Sequence, residues 1–255
     1  MALADVKKWK DVGVDANTLA ILTLDEANAA DTWDNFEGDA NWDGKPAAAN
    51  EPQVSTIVPN SNFVRSRVFN NDDYGYIVNP VEFPTGEFTV ELMLRLATAS
   101  AVDTEGVVCQ YPPTAGDRSF IIQRDTTDKL TCGVSQNGSN FVYITSAALS
   151  AGVWHYIAFV YKPSTYLRVY VDGALSAEVT TGVPSSVRDS SADVVIGRYN
   201  SSWGANNALD GHICDLRFSN KARTSTEISD HWAGTDGGGG GGTPNYDALF
   251  AFGGV

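Results

Sequence analysis

The side chains of this chain that could do chemistry fall into three groups. Hard cations need several converging oxygens, usually from loops. Asp25, Glu26, Asp72, Asp73 and Asp210 all stand at strand ends or turns, where Asp also serves simply as a turn former. A sugar site needs an exposed aromatic ring beside amide, carboxylate or guanidinium groups. Residues 198–207 (RYNSSWGANN) offer that mixture in Tyr199, Trp203, Asn206 and Asn207, and Trp33 and Trp42 offer a second. All of these rings could equally cap the rim of a sandwich and be buried. Catalysis has the weakest support. Glu91 stands alone on its strand, a structural partner for Arg95 or for a neighbouring strand. His155 and His212 have no Ser or Cys nucleophile at a recognisable elbow.

At 255 residues the chain can bury one large core, and 43% hydrophobic with 19% charged residues describes a globular protein. The balance of 31 acidic to 17 basic residues gives a net charge of −14. That argues against a nucleic-acid groove, which depends on clustered Lys and Arg. It suits a self-repelling surface or oxygen ligands for a cation. No apolar run approaches the roughly 20 residues that span a bilayer. Three cysteines (Cys109, Cys132, Cys214) make no disulfide framework and show no metal-ligand spacing. The start, MALADVKKWKDVGVD, lacks the apolar core of a secretory signal. Synthesis in the cytoplasm is therefore expected, with release into a virion or extracellular setting.

The elements that must position these residues are strands. Residues 152–173 (GVWHYIAFVYKPSTYLRVYVDG) read as two strands joined by Lys-Pro-Ser-Thr, the second ending in the Asp172-Gly173 reversal of a tight hairpin. On residues 154–161 both faces are apolar, so this strand must be covered on both sides. Residues 88–96 (FTVELMLRL) alternate, with Phe88, Val90, Leu92, Leu94 and Leu96 inward. Strands are also expected at 17–25, 63–69, 74–78, 106–110, 119–124, 129–135, 141–145, 177–180, 194–198 and 212–219, and residues 26–62 read as a long polar loop. Such spacing predicts a sandwich or barrel. One helix is expected, from the capping box Thr224-Ser-Thr-Glu227 to about Trp232. Residues 237–242 are six glycines, a flexible tether, and the apolar YDALFAF beyond them must pair with something. Leu249, Phe250 and Phe252 would close the chain's own sandwich or join a neighbouring subunit.

By Ser219 the order of these pieces resembles the laminin-G-like, concanavalin A-like lectin/glucanase jelly rolls. NTLAILTLDEA is similar to their opening strand, RVFNNDDYGYIV to the second block and FTVELMLRL to the next strand. GVWHYIAFVY with LRVYVDG is similar to the signature hairpin, and ALDGHICDLRFSNKARTSTEI to the closing strand and helix. The resemblance implies an all-β, antiparallel β-sandwich (a jelly roll) with one short C-terminal helix. The expected organisation is an N-terminal arm over 1–16, the jelly roll over 17–232, and a glycine-rich tether with an apolar strand over 233–255. Members of this group mostly bind glycans, glycoproteins or other surfaces, and some hold calcium; fold alone does not settle function. Laminarinase-type members carry Glu-x-Asp-x-x-Glu. Here the nearest approach is Glu37-Gly-Asp39, with Trp42 in the third position. Where the family usually shows Ile-Asp-Glu, this chain has Ile213-Cys214-Asp215, and strict alternation would point Cys214 inward with Leu216 and Phe218. The expectation is a non-catalytic recognition module for carbohydrate or a cell-surface partner. Its setting would be a virion, as a bacteriophage tail or capsid-surface component, since tail adhesins share the poly-glycine composition. A homo-oligomer contacting other virion subunits is expected, with Ca2+ as the one cofactor in question. A structural decoration or assembly subunit without a small ligand is the alternative, and a glycoside hydrolase lacking the usual motif is third.

Overall fold

The computed structural model describes residues 14–27, 32–36, 40–47, 50–70, 72–80, 83–99, 101–200 and 207–234. The hairpin at 152–173 forms β11 (Trp154–Lys162) and β12 (Tyr166–Val171), paired in antiparallel register from Ile157 with Val171 to Lys162 with Tyr166. Asp172 and Gly173 take φ values of 52° and 77°, the two positive angles that a tight two-residue reversal requires. Gly173 is needed for a second reason, because a Cβ there would meet the Trp232 side chain at 2.8 Å.

On its other side β11 pairs with β6 (Phe88–Leu96), which pairs in turn with β15 (Gly211–Ser219). The first sheet runs β13 (Ala174–Val179), β12, β11, β6, β15, β4 (Ser66–Phe69), β3 (Gln53–Ser55), with β1 (Thr18–Leu22) on the far half of β15. The second sheet runs β10 (Phe141–Ala148), β9 (Lys129–Ser135), β8 (Phe120–Arg124), β7 (Glu105–Gln110), β14 (Val194–Ile196), β5 (Gly75–Ile77), β2 (Gly44–Pro46). All strand pairs are antiparallel, and the two sheets enclose one core.

Both apolar faces of β11 are covered, as its composition demands. Ile157, Phe159 and Tyr161 enter the core between the sheets. Trp154, Tyr156, Ala158 and Val160 lie in a second cluster with Ile228 of helix α1 (Ser225–Ala233) and with Phe63. The helix begins at the expected capping box, Thr224 accepting from the Glu227 amide while the Glu227 carboxylate accepts from the Thr224 amide. Among the described residues no helix is long and apolar enough to cross a membrane.

Two expectations are corrected. Residues 26–62 are not a plain loop: they contain β2, β3 and a 3-10 turn at Ala40–Trp42. β2 and β3 add edge strands to the two sheets, and the segment buries Trp33 (0% exposed) and Trp42 (1%) in the core. Trp42 packs 5.3 Å from Phe218, and Trp33 occupies space that only a glycine at position 75 leaves open. The second correction concerns β15. Asp215 has φ 54° and the register with β6 shifts between Cys214 and Arg217. This bulge puts Cys214 on the outer face under α1, while Ile213, Leu216 and Phe218 enter the core.

Candidate aromatic recognition face

The densest set of titratable groups is buried and closed. Glu91, wholly buried on the outer side of β6, receives the Tyr156 hydroxyl at 2.6 Å and Arg217 Nε at 2.7 Å. His231 Nδ1 lies 2.8 Å from Oε1, the oxygen that accepts from Tyr156, and Arg223 Nε stands 3.3 Å from Oε2. Burial alone would raise this carboxyl, but the charges of Arg217, His231 and Arg223 outweigh it and hold it well below the usual carboxylate range. Burial and the neighbouring Glu91 charge push the Tyr156 hydroxyl far up. The cluster ties β6, β11 and β15 to α1 with every member covered, so it serves the fold. Glu91 does have its partner on a neighbouring strand; that partner is Arg217, not Arg95.

The five carboxylates singled out as calcium ligands do not come together. Asp25 accepts from Thr23 Oγ1 at 2.7 Å, and Glu26 stands 3.8 Å from Arg67. Asp72 lies 3.5 Å from Arg198, Asp73 accepts from the Asn70 amide, and Asp210 accepts from Thr98 Oγ1. Arginines hold Glu26 and Asp72, threonine hydroxyls Asp25 and Asp210, and a turn amide Asp73. Among the described residues no group of three or more His, Cys, Asp or Glu could hold a metal ion.

The sugar candidates divide. Trp33 and Trp42 are core residues and present no ring to a ligand, which corrects that expectation. Trp203 and Asn206 lie outside the described residues, as do Leu249, Phe250 and Phe252. Asn207 donates to the Thr104 carbonyl at 3.1 Å. Tyr199 is 5% exposed and donates to Gln123 Oε1 at 2.5 Å.

Tyr199 leads to a larger feature. On the second sheet Ile122, Cys132 and Ile144 face the core, so Ile121, Gly133 and Tyr143 face outward in one cross-strand row. Gly133 leaves room for the Tyr143 ring, whose Cδ1 would lie 2.5 Å from a Cβ at that position. The ring therefore lies down across β9. Phe141, two residues earlier on β10, stacks beside it at 5.4 Å and 16°. Tyr111 lies 5.4 Å beyond Phe141, and Tyr199 5.9 Å beyond Tyr111. The four rings form an arc, from 46% exposed at Tyr143 to buried at Tyr199. On the strands it is flanked by Gln123, Thr131 and Thr145, the two threonine hydroxyls 3.2 Å apart. A shallow depression of about 270 Å³ adjoins the arc, with Pro112, Pro113, Val195 and Asn200 in its walls. Rings with polar rims suit the C–H faces and hydroxyls of a sugar.

A family model described as the concanavalin A-like lectin/glucanases superfamily matches residues 69–229. The chain belongs to that superfamily. The sandwich also resembles solved structures at the level of fold. The binding domain of Paraclostridial Mosquitocidal Protein 1 aligns with TM-score 0.66 and 10% identity over 85% of this chain and 52% of that one. Domain 4 of AbnA, a GH43 extracellular arabinanase from Geobacillus stearothermophilus, solved in complex with arabinotriose, aligns with TM-score 0.61 and 16% identity over 86% and 99%. A Trypanosoma rangeli sialidase aligns with TM-score 0.60 and 14% identity over 88% and 33%. This chain thus spans about half of the mosquitocidal binding domain and a third of the sialidase, but nearly all of the arabinanase domain. No curated sequence matches the chain.

Within this lectin-like sandwich, Tyr111, Arg118, Phe141 and Tyr143 were not among the residues singled out from sequence. The available signal was the Phe141-Val-Tyr143 alternation, which places two rings on one strand face, and the outward face at that.

Proposed function

We propose that this chain is a non-catalytic recognition module that binds carbohydrate on the outer face of its second sheet. The arc Tyr143–Phe141–Tyr111–Tyr199 carries the reading. Two supports come from relatives in fold: the nearly coextensive arabinanase domain was solved with arabinotriose, and a botulinum neurotoxin DC binding domain was solved in complex with SialylT. In this reading the setting is a virion surface and the assembly a homo-oligomer, for which composition is the support.

The test is binding to an array of neutral and acidic glycans by the full chain and by Phe141→Ala, Tyr143→Ala and the double variant. Each lost ring contact removes roughly 0.5–1.5 kcal/mol, so the double variant should bind roughly 5- to 150-fold more weakly. The melting temperature of Tyr143→Ala should barely change, because Tyr143 is half exposed, whereas Phe141→Ala also removes packing against Tyr111. Undiminished binding by the double variant would place the site elsewhere. If no array glycan binds at all, the chain is better read as a decoration or assembly subunit.

A further inference from the structure

A fixed cation stands among the rings. The Arg118 guanidinium carbon lies 4.2 Å from the centre of the Tyr111 ring. Its Nε donates to the Pro112 carbonyl at 3.0 Å, Nη1 to the Tyr111 hydroxyl at 2.9 Å, and Nη2 to the Pro113 carbonyl at 3.0 Å. These three bonds and the stacking fix the position of the group, and all three acceptors are neutral. Of the five N–H groups of a guanidinium, one on Nη1 and one on Nη2 are left over.

The charge itself has no counter-ion among the described residues. Arg67, Arg124, Arg217 and Arg223, by contrast, each have a carboxylate within 4 Å. Asp117, next in sequence, is directed to Ser191 at 3.2 Å and towards Arg188 at 3.8 Å. Arg65 and Arg95 also lack a carboxylate, but they donate to the carbonyls of Asp25 and Gly152, away from this face. Arg118 differs from these two in standing, held only by neutral acceptors, beside the partly exposed rings of the arc.

Building on the carbohydrate reading above, we propose that the ligand of this face is an acidic sugar. Its carboxylate would pair with the two remaining N–H groups of Arg118 while its ring stacks on Phe141 and Tyr143. The net negative charge of the chain does not forbid this. At physiological ionic strength charges are screened beyond about 8 Å, so the nearest group governs the encounter. An ionised acceptor also makes the stronger hydrogen bond to a guanidinium.

The experiment compares acidic glycans with uncharged counterparts on the full chain. The probes are 3′-sialyllactose against lactose, and trigalacturonate against its methyl ester, each titrated calorimetrically at 20 and 200 mM salt. At least one acidic probe should bind roughly tenfold or more tightly than its counterpart, as charged hydrogen bonds imply, and should weaken with salt. Arg118→Gln should abolish the preference, and Arg118→Lys should retain part of it. The salt series on the unmodified chain guards against a variant that merely loosens the 112–113 turn. Equal binding of the charged and uncharged members, or a preference that survives in Arg118→Gln, would overturn the acidic ligand and leave the carbohydrate reading standing. Binding of none of the four, nor of any glycan on the array, would sink both.

Discussion

Glu91→Gln is expected to destabilise the fold by about 3–5 kcal/mol, the usual cost of removing one partner from a buried ion cluster. The amide keeps the volume of the side chain, so the loss is electrostatic and not a cavity. Arg217 and Arg223 would remain buried beside a neutral group, and the Tyr156 hydroxyl would lose a charged acceptor. The helix should feel this first, because His231 anchors α1 to the same carboxylate. Chemical denaturation measures the change, and a loss below about 1 kcal/mol would show that the cluster is not a keystone.

The same cluster sets how the protein responds to acid. Glu91 titrates in the fold well below the ordinary carboxylate value, so the stability it contributes is complete above about 4.5, where the unfolded side chain titrates. That contribution is lost as the pH falls below this value towards the lower pKa of the fold. His212 acts in the same direction. Burial and the nearby Arg95 charge lower its pKa to about 4, so between about 6.5 and 4 the unfolded chain takes up a proton that the folded chain refuses. Stability should therefore decline from near neutrality downward, the two contributions overlapping only between about pH 4.5 and 4. In Glu91→Gln the decline below pH 4.5 should be reduced while the part above it remains.

Gly106→Ala should have the next largest effect, and it connects the fold to the recognition face. A Cβ at 106 would lie 2.3 Å from both the Arg198 carbonyl carbon and the Tyr199 nitrogen. These are backbone atoms, so the contact cannot be relieved by turning a side chain. The segment 198–199 that follows β14 must rise off β7, carrying Tyr199 away from Gln123 and from the end of the arc. Overpacking of this kind costs about 1–3 kcal/mol, and glycan affinity should fall with it. Gly86→Ala is the control, since nothing lies within 4 Å of its Cβ position and its stability should change by less than about 0.5 kcal/mol. Equal stability of the two variants would mean that residues 198–199 do not press on β7 as described.

What could be read from the sequence was local. The hairpin at 152–173, the alternation of FTVELMLRL and the capping box at Thr224 each state their structure within a few residues, and the sandwich follows from them. The fate of an outward position did not follow. Glu91 faces outward on β6 as its alternation requires, but whether outward means solvent depends on a helix more than 130 residues later. Trp33 and Trp42 sit in polar sequence, and their burial comes from folding over a core built by distant strands. The recognition face has the same character. Phe141 and Tyr143 are adjacent in the pattern, but Tyr111, Arg118 and Tyr199 reach them from two other loops, and the gap that lets Tyr143 lie flat belongs to Gly133 on the neighbouring strand. The bulge at Asp215 misled for a related reason: one positive φ angle exchanged the faces of the residues on either side.

The most direct test of the recognition face is an amide and aromatic NMR titration of the full chain with the tightest-binding array glycan. The largest shift changes should fall on Tyr111, Arg118, Phe141 and Tyr143, with little change at α1 or at the Glu91 cluster. Shift changes confined to the opposite sheet or to α1 would contradict a site on this face.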